Sequence, residues 1–229
     1  MYLSRLLLNV LSSDVRRDLN NVHAMHQRVL LGFPDRAIGS GARQTYEVLY
    51  RLDTSVRGDV SLLVQSEELP DWSRLPSEYL VSSFEPNPAT TTLEPLLRRL
   101  TPGLGLRFRV RANPTKRLRA EPGVHGRRVE LVGAERVLGW FLRKADTCGF
   151  AVAERDSQDD TSILAKYRIQ VTEEPKVRGY RSSSPVIFGS VLLDGQLIVK
   201  DTMRFSAMLR GGLGSAKAYG FGLLSVAPA

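Results

Sequence analysis

Short apolar runs alternate along this chain with stretches of helical period, and polar, proline- or glycine-bearing segments separate them. Tyr2 to Asn9 is such a run, and the polar segment Ser12 to Asp18 ends it, which predicts a buried strand followed by a loop. Val22, Met25, Val29 and Leu30 recur at helical spacing behind two good capping residues, Asn20 and Asn21. A helix is predicted from Val22 to Leu31, where Gly32-Phe33-Pro34 stops it. Thr45 to Leu52 and Val60 to Glu67 read as two strands joined by the polar turn Asp53 to Asp59, and Pro70 to Leu80 holds room for a short helix capped near Asp71. Ser82 to Thr92 is rich in Pro, Ser and Thr and reads as a linker, which puts a domain boundary between residues 85 and 103.

The second half opens on Leu106-Arg-Phe-Arg-Val-Arg111, a strict alternation that sends Leu106, Phe108 and Val110 to a core and three arginines to the opposite face. Its expected partner strand is Arg127 to Val132, across the basic turn Asn113 to Arg119. A helix over Ala134 to Asp146 follows, then strands near Phe150 to Glu154 and Ile163 to Thr172. Asp194-Gly195 is a two-residue turn signal and predicts a hairpin from Val186 to Lys200. A helix (Thr202 to Arg210), a glycine-rich loop and a strand (Phe221 to Val226) close the chain. Each half approximates the order βαββαβ, so the expected fold is α+β: two tandem ferredoxin-like (RRM-like) domains at residues 1–95 and 103–229. That order suggests nucleic-acid binding without establishing it.

A length of 229 residues suits this division. Lys plus Arg number 32 against 24 Asp plus Glu, a formal net charge of +8, so the partner is either a polyanion or water over a basic surface. The distribution favours phosphate. Arg107, Arg109, Arg111, Lys116, Arg117 and Arg119 fall in a stretch with no acidic residue, and Lys176, Arg178 and Arg181 gather with Tyr180 in an expected second loop. The loop holding Gly212, Gly214 and Lys217 is either a structural turn or an anion cradle. It has neither the P-loop arrangement nor an early G-x-G-x-x-G, so no nucleotide cofactor is expected. Cys148 is the single cysteine, which excludes an internal disulfide and suits a reducing cytoplasm. No apolar run approaches the roughly 20 residues of a membrane span, and Tyr2 to Asn9 is too short an apolar run for a signal peptide.

His23 and His26 lie three residues apart on the first predicted helix, and His26 falls within its apolar stripe. Two readings stand: a satisfied core residue, or an imidazole at the edge of a groove where it can move protons. His125 is distant in sequence, so no metal site is expected. Asp159-Asp160 and Glu173-Glu174 read as solvated loop.

Three blocks resemble one family. Met1-Tyr-Leu-Ser-Arg-Leu…Asn9 with Arg17-Asp18-Leu…Met25-His26-Gln27…Phe33-Pro34-Asp35, then Arg107-Phe-Arg-Val-Arg-Ala-Asn-Pro114-x-Lys116, then Gly212-Leu-Gly214-Ser-Ala-Lys217-Ala-Tyr-Gly220-Phe-Gly-Leu-Leu-Ser-Val-Ala-Pro228 are similar to the CasE-type CRISPR-associated endoribonucleases in order and spacing. The resemblance implies two ferredoxin-like domains and metal-independent cutting of CRISPR repeat RNA at the 3′ base of a stem-loop. It implies attack by the neighbouring 2′-hydroxyl, a 2′,3′-cyclic phosphate and a 5′-hydroxyl. It also implies retention of the product in a type I-E surveillance complex (Cascade) with its other subunits. His26 matches the family's catalytic histidine. Relatives often carry tyrosine three residues earlier, where this chain has His23, whose ring can also donate a hydrogen bond or a proton. A non-cleaving RNA-binding scaffold on the same fold is the alternative, and a ribosome- or tRNA-associated binding protein a third reading.

Overall fold

A computed structural model describes residues 1–34, 46–83, 85–118, 128–155, 162–181 and 184–229. Arg119, His125, Asp159, Asp160 and the side chain of Arg181 lie outside the described part. The first half runs β1 (Tyr2–Leu8), α1 (Ser13–Leu19), α2 (Val22–Leu30), β2 (Leu49–Thr54), β3 (Val60–Ser66) and β4 (Ala89–Thr92). Its sheet has the order β2-β3-β1-β4 with antiparallel neighbours, the strand order of a ferredoxin-like unit. A 3₁₀ turn, Trp72–Arg74, capped by the Asp71 side chain, stands in the second helix's place in chain order.

α3 (Glu94–Arg98) leads into β5 (Gly105–Ala112), β6 (Thr115–Arg117), β7 (Arg128–Glu130), α4 (Ala134–Thr147), β8 (Phe150–Val152) and α5 (Ile163–Lys166). β9 (Ile169–Arg181), β10 (Ser184–Val199), α6 (Thr202–Gly211) and β11 (Leu224–Pro228) complete the chain. The order β11-β5-β10-β8 repeats the antiparallel ferredoxin-like arrangement, with β9 added on β10. Leu106, Phe108 and Val110 of β5 face a core with Val137, Leu138 and Phe141 of α4 and Phe205 of α6, as the alternation of β5 predicts. A separate cluster under the first sheet holds Leu6, Leu8, Met25, Val29 and Tyr50. We place the domain boundary between β4 and β5.

Several expected elements differ. Ser12 to Asp18 is mostly helix, not loop, because α1 buries Val15 and the charged Asp18. Ser82 to Thr92 is no linker: β4 pairs with β1, and the Asn87 side chain bonds both Leu7 N and Leu7 O, at 2.8 and 3.0 Å. The neighbours of β5 are β10 and β11, while Arg128–Glu130 pairs with Thr115–Arg117 in a small sheet of its own. Ile163–Lys166 is a helical turn. Asp194-Gly195 lies inside the continuous strand β10. A Cβ on Gly195 would run into Arg168 O, so glycine serves a close backbone approach there, not a turn.

Candidate active site and nucleic-acid interface

α2 is built to hold one face in the core and another at the domain boundary. Asn21 caps it, its Oδ1 accepting from His23 N at 3.1 Å, while Met25 and Val29 are buried. The same Oδ1 accepts from Tyr180 N of β9 at 3.2 Å, which ties the start of the helix to the second domain. Behind α2, the buried Asp18 carboxylate takes Arg28 Nε at 2.6 Å and the Tyr79 hydroxyl at 3.0 Å, and the Arg28 guanidinium lies over the Tyr79 ring. This network locks α1 to α2 and fixes the rotation of the helix that carries the histidines.

His23 and His26 are both half-buried, with ring centroids 6.5 Å apart. His26 meets the edge of Tyr219, 6.2 Å away, and Tyr219 stacks on Phe188 of β10 at 5.0 Å. His26 is therefore a boundary residue, not a member of the first core. The glycine-rich loop delivers Tyr219. Gly212 ends α6 at φ +75°, and a Cβ there would stand 2.7 Å from Leu49 Cδ2 of β2, so this glycine lets the two domains touch. Lys217 Nζ donates to Gly211 O at 2.6 Å and pins the loop to the helix end. Tyr50 Oη of β2 donates to Ala218 O at 3.2 Å, and burial pushes this phenol's pKa well above the ordinary tyrosine value.

A cleft of about 380 Å³ opens beside this junction, lined by Val22 and Met25 of α2, Tyr219 and Gly220 of the loop, and Arg111, Lys176 and Arg178 from the second sheet. A smaller depression of about 180 Å³ brings Arg117 and Arg128 of the small sheet against Lys144 of α4, with Gly214 and Ser215 from the glycine loop. Three cations beside a glycine-bearing loop have the charge and the donors that phosphate oxygens pair with.

Specific polar contacts cross the domain interface. Arg51, 3% exposed and held by Asp53, donates Nη1 to Arg109 O at 2.9 Å and to Ser225 Oγ at 3.0 Å. Gln65 Nε2 donates to Leu209 O at 2.6 Å, and Arg210 pairs with Glu67.

The family described as CRISPR associated protein matches residues 1–228. The chain belongs to the CRISPR-associated protein family. A curated member, CRISPR-associated endoribonuclease Cse3 of Thermus thermophilus, is 38% identical over 230 residues, 100% of each chain. The solved structure of Thermus thermophilus Cse3 bound to an RNA representing a pre-cleavage complex is 35% identical, covering 99% of this chain and 98% of that one with a TM-score of 0.79. Cse3 bound to a 19 nt RNA is 32% identical over 100% of both chains, with a TM-score of 0.77. Cas6e of Escherichia coli, at 21% identity and a TM-score of 0.66 over 100% of both chains, shares the fold.

Within this family frame the expected binding residues divide. Lys116 and Arg117 lie on β6, and Arg117 reaches the three-cation depression. Lys176 and Arg178 sit on strand β9 rather than in a loop, and so does the backbone of Arg181. Lys176 pairs with Glu130 at 2.8 Å, and the exposed Arg178 lines the cleft. Arg109 pairs with Asp194, and Arg111 holds Glu174 through Nε and Nη2, both at 2.6 Å, while its Nη1 bonds Leu52 O. Their acid-free stretch in sequence is thus not an acid-free surface: the carboxylates come from β9 and β10. Arg111 joins the two domains as well as lining the cleft. Arg128, Lys144 and Tyr219 carry little signal in the sequence: the two cations sit in mere basic pairs, Arg127-Arg128 and Arg143-Lys144, and Tyr219 meets His26 from the far end of the chain. Among the described residues no group of three or more His, Cys, Asp or Glu could hold a metal ion, and no helix is long and apolar enough to cross a membrane.

Proposed function

We propose that this endoribonuclease cuts the repeat RNA of a CRISPR transcript at the 3′ base of its stem-loop without a metal ion, then keeps the product within a Cascade complex alongside the other subunits. The 2′-hydroxyl beside the scissile bond attacks phosphorus as the bond to the 5′-oxygen breaks, leaving a 2′,3′-cyclic phosphate and a 5′-hydroxyl. One proton leaves the 2′-oxygen and one reaches the 5′-oxygen, and His26 carries one of these transfers. The observation that supports this assignment is the place of His26: half-buried at the domain boundary, edge-on to Tyr219. The RNA complexes of Thermus thermophilus Cse3 support RNA as the substrate. Arg117, Arg128 and Lys144, with Arg178 at the cleft, supply contacts to stem phosphates; a folded RNA stem is recognised by shape and backbone because side chains cannot read its deep major groove.

The deciding experiment incubates the protein with a repeat hairpin in EDTA. Cleavage persists, and His26→Ala binds the RNA but cuts it roughly 10²–10⁴-fold more slowly, the loss typical of a missing general acid or base. Activity abolished by the chelator, or an unchanged rate in the variant, sinks the reading. Binding by the wild type with no cleavage turns it to the non-cleaving scaffold.

A further inference from the structure

The second sheet has an open face that the catalytic junction does not use. Register places its side chains in two rows: Ala227, Arg107 and Gln196 in one, and Ser225, Arg109, Asp194 and Gln170 in the next. The rows floor an open depression of about 680 Å³, and Arg155 and Arg168 complete its lining. Among the described residues the lining holds four arginines and one carboxylate, Asp194, which pairs with Arg109, and Asp53 also acts on Arg109, so the described lining is net positive. The guanidiniums are also fixed in place. Arg107 Nε donates to Pro228 O at 3.0 Å, Arg155 Nε to Tyr167 O at 3.0 Å, and Arg168 Nε to Glu154 O at 3.2 Å. Anchoring Nε on a backbone carbonyl sets the plane of each fork, so less side-chain entropy is lost when an oxyanion binds.

We propose that this face is a second RNA-binding surface, taking the phosphates of an unpaired segment that flanks the hairpin cut at the catalytic junction. The proposal rests on the RNA-processing reading above. Single-stranded RNA is the occupant for three reasons. The charge matches a polyphosphate backbone. No aromatic side chain stands in the two rows, so the stacking of splayed bases that RRM sheets use is absent and recognition is of the backbone, independent of sequence. The face runs toward the cleft at the domain junction: Arg111, which lines that cleft, follows Arg107 and Arg109 on the same side of β5, over about 13 Å at roughly 3.3 Å per residue.

The test compares a repeat hairpin with the same hairpin carrying an unpaired uridine extension, each titrated across salt against wild type and Arg155→Gln/Arg168→Gln. Wild type binds the extended RNA more tightly. The double variant loses that gain, with the salt slope for the extended RNA falling by roughly 1.4, since each single-strand phosphate contact contributes about 0.7. Its affinity for the bare hairpin and its rate of hairpin cleavage stay at wild-type values. A double variant that keeps the gain overturns the proposal, and so does one that loses hairpin affinity equally. Displacement of the extended RNA by polyglutamate as effective as by polyuridine would also overturn it, assigning the face to an acidic protein. A wild type that cleaves the hairpin but treats both RNAs alike refutes this inference only. One that neither binds nor cleaves the hairpin refutes the functional reading itself.

Discussion

The ring of His26, from the first domain, meets the edge of Tyr219, from the second, with centroids 6.2 Å apart. The contact is rigid on both sides. Tyr219 stacks on Phe188 at 5.0 Å, and the carbonyl just before it, Ala218 O, accepts from Tyr50. α2 is held from behind by Asp18 and Arg28. An imidazole proposed to move protons in a phosphoryl transfer must be aimed, and the aim of His26 depends on how the two domains dock.

Tyr219→Ala should therefore slow cleavage by about 10- to 10²-fold, the scale of a small misplacement of a reacting group. Tyr219→Phe keeps the ring and should stay near the wild-type rate. Single-turnover rates at saturating RNA separate this from weaker binding. A wild-type rate for Tyr219→Ala would reduce the ring to packing.

Much of this arrangement is legible before folding, where hydrophobic period carries the information. The alternation along Leu106 to Arg111 and the stripe of Val22, Met25 and Val29 put β5 and α2 in the right place and leave His26 beside the core. The ferredoxin-like strand order then follows from element order. What period cannot show is polar burial and long-range pairing. α1 hides because one of its two buried residues is Asp18, made tolerable by Arg28 and Tyr79 from elsewhere in the chain. Glu174 and Asp194, which pair with Arg111 and Arg109, lie 63 and 85 residues further on, so the β5 arginines look freer in sequence than they are. Asp194-Gly195 mimics a hairpin because the turn signal and the close-approach signal of glycine are the same two letters.

Asp18 supplies the second prediction. It is 1% exposed, and Asp18→Ala would leave the nearly buried Arg28 guanidinium without its main partner and the Tyr79 hydroxyl without its acceptor. Breaking a buried pair this way costs about 3–5 kcal/mol. Urea denaturation should show a loss of that size, and the surviving folded protein should cleave slowly because α2 is no longer locked to α1. A loss under about 1 kcal/mol, the range of exposed pairs, would mean that the network is not closed to water.

The third concerns alkaline pH. Burial raises the phenols of Tyr50 and Tyr79 well above the ordinary tyrosine value, with neighbouring Tyr219 and Asp18 respectively adding to the effect. In the unfolded chain both titrate at about pH 10. A raised folded pKa means that the native state keeps protons the unfolded state releases, so this stabilisation is complete below about pH 10 and falls as pH rises beyond it. Phenolate absorbance should show two tyrosines that ionise only with unfolding, and Tyr50→Phe/Tyr79→Phe should remove both from that late step. Ionisation of all the tyrosines in the folded protein would contradict the burial.

The last prediction concerns His23. Its ring lies 6.5 Å from that of His26. A neutral imidazole accepts a proton at one ring nitrogen and a protonated one donates, so two rings this close can serve one phosphate as base and acid. Cleavage by such a pair rises and then falls with pH, and the two limbs belong to the pair rather than to either ring. His23→Tyr should keep most of the activity and lose one limb, since a phenol can still donate a hydrogen bond but no longer changes charge near neutrality. His23→Ala should cost less than His26→Ala, because the cations around the cleft still stabilise the phosphate. Single-turnover rates from pH 5 to 9 for wild type and these three variants decide the matter. Superimposable profiles for wild type and His23→Ala would leave proton transfer to His26 without its neighbour, and His23 would then serve α2 only through its backbone N–H on the Asn21 cap.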